Sequence, residues 1–283
     1  MFVLTLALLL WLLTGAASCD AGISLEDPPL KVHFLDVGQG LAVLWEYQGR
    51  FALWDTGPDS VGVIDTLKRY GVDSLEWIAL SHWHRDHSGG FLELPAAMRS
   101  GSLVVKEVFF SNDTGFGFVS DSVFSIIETF RLKSGCYKRG DTLSFAPGFR
   151  FQILWPPNYF KSAGNSSSGV LYVKDSLSSM LLMIDLEAPQ ERELLVLSPT
   201  LRSNLLQVGH HGSANSSSIH FLSQVSPSEA VISVGKKNPY GHPALSTLNK
   251  FKFVLGDSSY LYRTDEQGTL IWLWHKNVGF WRE

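Results

Sequence analysis

Cysteine is scarce in this sequence, and an overall positive charge is absent. Two cysteines, Cys19 and Cys136, among 283 residues exclude a disulfide framework and a zinc site built from cysteine pairs. Charged residues make up 18% of the chain and hydrophobic residues 45%, which is ordinary for a soluble globular protein. The formal net charge of -4 provides no overall positive field. A polyanionic substrate would therefore have to be attracted by metal ions and a local groove.

Long apolar runs are also absent, except at the N-terminus. Residues 1–18, MFVLTLALLLWLLTGAAS, contain no charged side chain, and this length predicts a membrane span. The small residues at its end leave a signal-peptide cleavage site open, and GAASC loosely resembles a lipoprotein processing site at Cys19. Residues 19–30 are expected to form a linker, because Pro28 and Pro29 disfavour helix and strand. On any membrane interpretation we expect the rest of the chain at the cell membrane, on its extracytoplasmic (periplasmic) side.

The remaining sequence is expected to form one domain. No internal repeat is detectable, and the polar run NSSSG at 165–169 is too short to link two domains. Predicted strands lie at 31–36, 41–47, 50–54, 75–81, 150–155, 170–174, 179–185, 194–197, 205–208, 230–234 and 252–255. Predicted helices lie at 63–70, 121–131, 187–193, 217–224 and 244–250. This mixture indicates an α/β domain over residues 31–283, with sites beyond the carboxyl ends of strands.

The most informative segment is SHWHRDHSGG, residues 81–90, which follows a predicted strand. His82 and His84 are two residues apart, so in an extended segment both imidazoles point to the same side. Asp86 and His87 follow where the chain turns toward a helix, and they can reach a second position. Imidazole and carboxylate ligands suit zinc, manganese or iron. A polar surface loop that happens to contain three histidines is the less favoured alternative.

Ligands for a second ion must come from elsewhere in the chain. Asp185 ends the apolar run MLLMID, and a buried carboxylate there is costly unless it is paired or metal-bound. Taken alone, Asp185 could equally be a helix N-cap. His210 and His211 end LLQVGHHGS in a similar position. Together these residues favour a metal site over isolated structural roles.

Several motifs together resemble one known family. LDVGQG, WDTG, LSHWHRDHSGG, VGHHGS, VISVGKKNPYGHP and YRTDEQGTL occur in the order and spacing of the C-terminal metallo-β-lactamase-like domain of ComEC, the DNA-uptake channel protein of natural transformation. This resemblance covers about Val32 to Leu270. It implies an αββα metallo-β-lactamase fold with two divalent ions, zinc or manganese. The preceding apolar run then resembles the last transmembrane helix of the channel.

The resemblance also implies roles for individual residues. The implied metal ligands are His82, His84, Asp86, His87, Asp185 and His211. Asp86 would also orient the attacking water, and His210 or His242 would protonate the leaving oxygen or hold a phosphate oxygen. Ser213, Tyr240 and Asn165 are the implied substrate-binding residues. Two divalent ions would activate the water and neutralise charge on the attacked phosphoryl group.

Four positions depart from the usual patterns. Leu41 stands where an acid is usual in GQGDA, and Met183 and Ile184 replace the Thr-Gly pair before the key aspartate. Asn165 stands near the third metal motif, which is a histidine in the wider superfamily. These departures concern the rate, or even the presence, of activity rather than the fold.

Three functions therefore stay open at this point. The favoured one is a metal-dependent nuclease that degrades one DNA strand during DNA uptake, with DNA, the membrane and channel components as partners. The second is a small-phosphoester hydrolase of the cell envelope. The third is a non-catalytic domain that supports the DNA-uptake channel.

Overall fold

The structure, a computed structural model, describes residues 28–59, 61–256, 260–276 and 278–283. The expected membrane or signal segment at 1–18 and most of the expected linker lie outside the described residues. Within the described part of the chain, no helix combines the length and the apolar character needed to cross a bilayer.

A first sheet of eight strands is mixed in direction. Its strands, in sheet order, are β17 (Gly279–Arg282), β16 (Leu270–His275), β1 (Leu30–Phe34), β2 (Val43–Tyr47), β3 (Arg50–Trp54), β5 (Ile78–Leu80), β7 (Glu107–Phe110) and β8 (Lys133–Cys136). The pairs from β17 to β3 are antiparallel, and those from β3 to β8 are parallel.

A second sheet of seven strands has the same division into an antiparallel and a parallel half. Its strands, in sheet order, are β15 (Leu261–Arg263), β14 (Glu229–Ile232), β13 (Leu205–Gln207), β12 (Ser179–Leu182), β11 (Val170–Lys174), β10 (Arg150–Trp155) and β9 (Thr142–Leu143). The pairs from β12 to β15 are parallel, and the others are antiparallel. Two short strands, β4 (Ser74–Leu75) and β6 (Val104–Val105), pair separately.

Helices cover the outer faces of both sheets. The described α-helices are α1 (Val63–Arg69), α2 (Arg85–Ser88), α3 (Leu94–Arg99), α4 (Phe118–Phe130), α5 (Ala188–Leu197), α6 (Ile219–Val225), α7 (Leu245–Leu255) and α8 (Thr264–Gln267). Short 3₁₀ turns lie at Gly89–Glu93, Gly164–Ser167 and Gly209–Gly212.

Three apolar clusters lie between the four layers of the fold, which are helices, the first sheet, the second sheet and helices. The central cluster joins the inner faces of the two sheets, with Trp45 and Trp54 of the first sheet beside Phe151 and Leu182 of the second. A second cluster packs the outer face of the first sheet on α1 and α4, and a third packs the second sheet on α5, α6 and α7. Alternate residues of each strand therefore face different layers. The expected α/β architecture, an αββα metallo-β-lactamase fold, is confirmed over the described residues.

Two predicted strands are wrong. Residues 194–197 form the last turn of α5, and residues 252–255 form the end of α7. Short apolar runs fit either structure, and here packing against the second sheet selects the helix. Phe251 is fully buried whereas Phe253 is 77% exposed, although two such residues in a strand would share a face.

The carboxyl ends of the parallel strands of both sheets lie at one edge of the sandwich. In the first sheet this edge carries the residues after β3 and β5, and in the second sheet those after β12, β13 and β14. Polar loops at carboxyl ends of parallel strands form sites in α/β proteins. Each candidate metal ligand described next follows one of these strands.

Candidate metal centre

The segment 81–90 is folded tightly against the loop that follows β3. The chain leaves β5 at Ser81, extends through His82 to His84, and turns into α2. The Ser88 hydroxyl donates to the carbonyl of His82 at 2.6 Å and closes this turn. The glycine pair permits close packing, because a Cβ on Gly90 would lie 2.3 Å from the carbonyl oxygen of Thr56. The turn points His82 and His87 inward, and both are buried.

Two groups of potential metal ligands result. Asp86, His87, Asp185 and His211 offer ligand atoms that all lie within 4.8 Å of one another. His82, His84 and Asp185 form a second group under the same limit. The structure thus brings together all six residues that the sequence predicts as metal ligands.

Asp185 belongs to both groups through its two different oxygens. Its Oδ1 lies 3.2 Å from Nε2 of His87 and 3.5 Å from Nε2 of His211. Its Oδ2 lies 3.8 Å from Nε2 of His82. One buried carboxylate therefore joins two adjacent ligand groups, which is the arrangement expected for a dinuclear site.

Hydrogen bonds fix the orientation of the buried imidazoles. Nδ1 of His87 lies 2.9 Å from Oδ2 of Asp55, and Nδ1 of His211 lies 2.8 Å from the carbonyl oxygen of Ser233. Nδ1 of His82 is 3.0 Å from the hydroxyl of Ser81. A proton on Nδ1 leaves the Nε2 lone pair of each ring directed at the centre, as metal-binding histidines require.

The donor atoms fit a metal better than they fit one another. Nε2 of His82 and Oδ1 of Asp185 are buried without a hydrogen-bond partner. Nε2 of His87 and Nε2 of His211 are only 3.2 Å apart. Two lone pairs that face each other at this distance repel unless a cation or a proton lies between them. These nitrogen and oxygen donors suit divalent zinc, manganese or iron, and the residues fit a dinuclear metal centre.

The charges of the centre are strongly coupled. Burial raises the pKa of Asp185, but His87 and His211 outweigh it, so that the pKa lies well below its ordinary value. Burial also raises the pKa of Asp86, and the same two imidazoles again reverse the direction to a net lowering. Burial lowers the pKa of His82 well below its ordinary value. The carboxylates therefore stay ionised and His82 stays neutral near neutral pH. The same carboxylates raise the pKa of His87 and His211 against the effect of burial, so a metal that binds these two rings must displace their protons.

An open cleft of about 690 Å³ leads to this centre. Four of the residues predicted to act in catalysis or binding beyond the buried ligands line it: Asn165, His210, Tyr240 and His242. The side chains of Gln39, Asp59 and Arg85 complete its rim, with Arg85 paired to Asp59. A substrate in this cleft would therefore reach both ligand groups.

His210 is held in place from both ring nitrogens. Its Nδ1 lies 2.9 Å from Oε1 of Glu187, and its Nε2 lies 3.2 Å from Nδ2 of Asn165. The His242 ring is 5.5 Å from the His210 ring, and Tyr240 stacks on His242 at 5.9 Å. Burial, followed by the nearby His210 and His211, lowers the pKa of His242. Both predicted proton donors thus face the same cleft.

Ser213 is the exception among the predicted substrate-binding residues. It is buried and absent from the cleft lining, and its hydroxyl accepts from the backbone N–H of Asn215. Its carbonyl accepts from the Thr247 hydroxyl at 2.8 Å. In the structure, Ser213 therefore stabilises the turn after His211 and lies away from the cleft.

Sequence reasoning missed the residues that hold the ligands. Asp55 is fully buried and accepts from the backbone N–H and the hydroxyl of Ser81, both at 2.7 Å, besides its contact with His87. Glu187 orients the ring of His210 in the same way, and Gln207 accepts from the backbone N–H of Ile184. The signal was available for Asp55, since it follows an apolar strand as Asp185 does.

The departures from the family pattern leave the ligands in place. Leu41 packs between the two sheets, and its backbone N–H donates to the carbonyl of Asp86 at 3.1 Å. Gly40 beside it is required, because a Cβ there would lie 2.3 Å from that same carbonyl oxygen. Ile184 adopts a left-handed φ of 56°, which is costly for a β-branched residue. Its N–H donates to Gln207 at 2.7 Å, so Asp185 is held despite this strain.

Comparisons with known proteins agree with this geometry. Recombination protein 2 of Haemophilus influenzae is 36% identical over 234 residues, which are 80% of this chain and 27% of that protein. Competence protein ComA of Neisseria gonorrhoeae is 31% identical over 239 residues, covering 83% of this chain and 31% of that protein. The chain thus spans about a third of the length of these relatives. The predicted resemblance to the domain of the ComEC competence proteins is confirmed.

The fold has a counterpart among solved structures. The metallo-beta-lactamase fold protein YhfI from Bacillus subtilis matches with a TM-score of 0.58 at 13% identity, covering 87% of this chain and 99% of that chain. Residues 35–236 match the sequence model of the metallo-beta-lactamase superfamily. The chain therefore belongs to the metallo-beta-lactamase superfamily.

Proposed function

We propose that this domain is a metal-dependent phosphodiesterase that degrades one strand of DNA during DNA uptake. The observation that carries the proposal is the pair of ligand groups joined by Asp185 at the end of an open cleft. The relatives named for competence and recombination support the DNA-uptake setting of this proposal. The domain would then lie on the extracytoplasmic side of the membrane, beside channel components.

The rim of the cleft supports a nucleic-acid strand as substrate. Lys236 and Lys237 are exposed directly before the loop 238–242, which forms one wall of the cleft. Tyr240 on that loop is 67% exposed and stacked on His242. Cations attract the phosphate backbone, and an exposed aromatic ring offers a stacking platform for an unpaired base. A single strand uses both features, whereas the bases of a duplex cannot reach the ring.

The residues divide the chemistry between them. His82, His84, Asp86, His87, Asp185 and His211 would hold two divalent ions, which supply an activated water and neutralise phosphoryl charge. Asp86, 30% exposed toward the cleft, would orient the nucleophile. Glu187 accepts from Nδ1 of His210, so the carboxylate would support a doubly protonated ring whose Nε2–H could pass its proton to the leaving oxygen. His242 would hold a phosphate oxygen or serve as the acid in its place.

The test compares three substrates on protein loaded with manganese or zinc. We expect cleavage of a labelled single-stranded oligonucleotide, slower cleavage of the same sequence as a duplex, and measurable cleavage of bis-p-nitrophenyl phosphate. Asp185→Asn should abolish all three activities and reduce bound metal, whereas Asp73→Asn, an exposed carboxylate remote from the cleft, should change neither. His210→Gln should lower turnover on DNA by about 10²–10⁴-fold and affect the activated ester less.

Two outcomes would contradict the proposal. Cleavage of the chromogenic ester without any cleavage of DNA would favour a small-phosphoester hydrolase of the envelope. Two bound ions with no turnover on any of the substrates would favour a non-catalytic domain that supports the channel.

A further inference from the structure

The end of the sandwich opposite the metal centre carries a second, separate surface. β12 runs from Ser179 toward Asp185, and Ser179 pairs with Lys174 of β11. The loop between Lys174 and Ser179 therefore lies at the far end of the sheet from the centre. Leu30, where β1 begins, pairs with Trp274 near the end of β16 at this same far end.

This end presents a cluster of cationic side chains. A shallow cleft of about 380 Å³ is lined by Arg150, Lys174 and Lys276, together with Gly148, Asp175 and Ser176. Arg150 and Lys174 are exposed. Asp175, the acidic residue of the cleft, uses its carboxylate within the fold. Its Oδ1 accepts from the N–H groups of Leu177 and Ser178, and its Oδ2 accepts from Nε1 of Trp274 at 2.9 Å. Asp175 keeps its negative charge, but the cationic residues of this cleft outnumber it, so the surface is positive overall.

Two apolar loop tips project beside these cations. Leu177 is 57% exposed and Val278 is 48% exposed. Their loops are adjacent, since a Cβ on Gly279 would lie 2.8 Å from the hydroxyl oxygen of Ser178. Exposed aliphatic tips bordered by Lys and Arg are the combination that interfacial membrane-binding surfaces use.

We propose that this basic end, defined by Arg150, Lys174, Leu177, Lys276 and Val278, rests on a membrane surface of anionic lipid headgroups. The position of β1 supports this occupant, because the chain enters the domain at the same end. Eleven residues, 19–29, separate β1 from the apolar run 1–18, and they reach at most about 40 Å when extended. An apolar run in the bilayer would hold the basic end at a high local concentration of headgroups.

The orientation has a consequence for the metal centre. With the basic end on the lipid, the cleft faces away from the membrane and opens to water. The inference does not depend on hydrolytic activity, because none of its residues lines that cleft.

The test places an environment-sensitive fluorophore on single cysteines of the full chain, with Cys19 and Cys136 changed to serine. Leu177→Cys reports the basic end, and Phe116→Cys is the matched control, since Phe116 is 66% exposed in the loop that follows β7 on the metal-centre side. The protein is reconstituted into phosphatidylcholine vesicles with and without phosphatidylglycerol. In vesicles with phosphatidylglycerol, we expect the label at 177 to shift to the blue and to be quenched by doxyl lipids, while the label at 116 stays as in water.

Charge removal sharpens the test. Combining Arg150→Gln, Lys174→Gln and Lys276→Gln should weaken the lipid contact by about 100-fold, since each cation near an anionic surface contributes roughly fivefold. An unchanged circular dichroism spectrum and metal content would show that the variant is folded. A label at 177 that stays in water in every vesicle would overturn the proposal. So would equal quenching without phosphatidylglycerol, or protection of the label by single-stranded DNA in place of lipid.

Discussion

Asp55→Asn tests whether the metal centre depends on a residue outside both ligand groups. Asp55 contacts one of the ligands, His87, directly. The parent carboxylate accepts three hydrogen bonds, from the N–H of Ser81, from its hydroxyl, and from Nδ1 of His87. Asparagine keeps the shape but replaces one acceptor oxygen by an NH₂ donor. In one orientation of the amide, its NH₂ group faces the backbone N–H of Ser81. In the other, it faces Nδ1–H of His87, so each orientation places two donors opposite each other.

The expected magnitude follows from these contacts. An unsatisfied buried donor costs about 1–3 kcal/mol, so the free energy of unfolding should fall by roughly 2 kcal/mol. If the His87 ring changes its tautomer to avoid the clash, Nε2 carries the proton and loses the lone pair that a metal needs. Loss of such a supporting hydrogen bond typically lowers metal affinity by about 10–100-fold.

The assay is metal content after dialysis against a graded series of chelator concentrations. Asp55→Asn should release at least one ion at a chelator concentration about 10–100-fold lower than the parent requires. Glu46→Gln is the matched control, because Glu46 is a carboxylate at 3.2 Å from Nε2 of His33, away from the centre. Parent-like metal retention in Asp55→Asn would refute the role given to the Asp55–His87 pair.

Three further outcomes are expected from other positions. Burial lowers the pKa of His33, so on acidification the unfolded chain binds this proton before the folded chain does, and the free energy of unfolding falls as the pH drops below about 6.5. Urea unfolding at pH 7.5 and 5.5 should therefore show a smaller loss of stability between the two pH values in His33→Gln than in the parent. Ile184→Gly removes about 1–3 kcal/mol of backbone strain, but it also removes a fully buried side chain that contributes more. Thermal melting should therefore show a net loss of about 1–3 kcal/mol in the free energy of unfolding, and a gain would mean that the strain is the larger effect. Asp113→Asn should cost about 2 kcal/mol, because its buried carboxylate accepts the N–H groups of Trp83, Gly115 and Gly164 around the loop beside His84.

The local patterns of the sequence were sufficient to single out the six residues that the structure brings together in the two ligand groups. The spacing of His82 and His84 on an extended segment, and carboxylate and histidine residues after apolar strands, depend only on strand geometry. That geometry is short-range, so it can be read without knowing which strands pair. The same reasoning was insufficient at 194–197 and 252–255, where four residues, mostly apolar, are too few to show a periodicity of their own. There the packing of α5 and α7 against the second sheet decides the conformation.

The supporting residues could not be predicted because their roles depend on long-range pairing. Ser233 accepts from His211 only because β13 and β14 lie side by side. Glu187 reaches His210 because α5 begins beside the turn after β13. Ser213, which the family resemblance implied as a substrate-binding residue, is instead buried in the turn after His211, outside the cleft lining. Neighbours in sequence and neighbours in space diverge most at such tight turns.

The division of the ligands between the two sheets links metal binding to the stability of the fold. The first sheet contributes His82, His84, Asp86 and His87, while the second contributes Asp185 and His211. Each ligand group includes Asp185, so neither group is complete on one sheet. An ion bound by either group therefore holds the sheets together and adds about 2.7 kcal/mol of stability when its free concentration is 100 times its Kd. The strained backbone at Ile184 lies directly before Asp185, at this junction between the sheets.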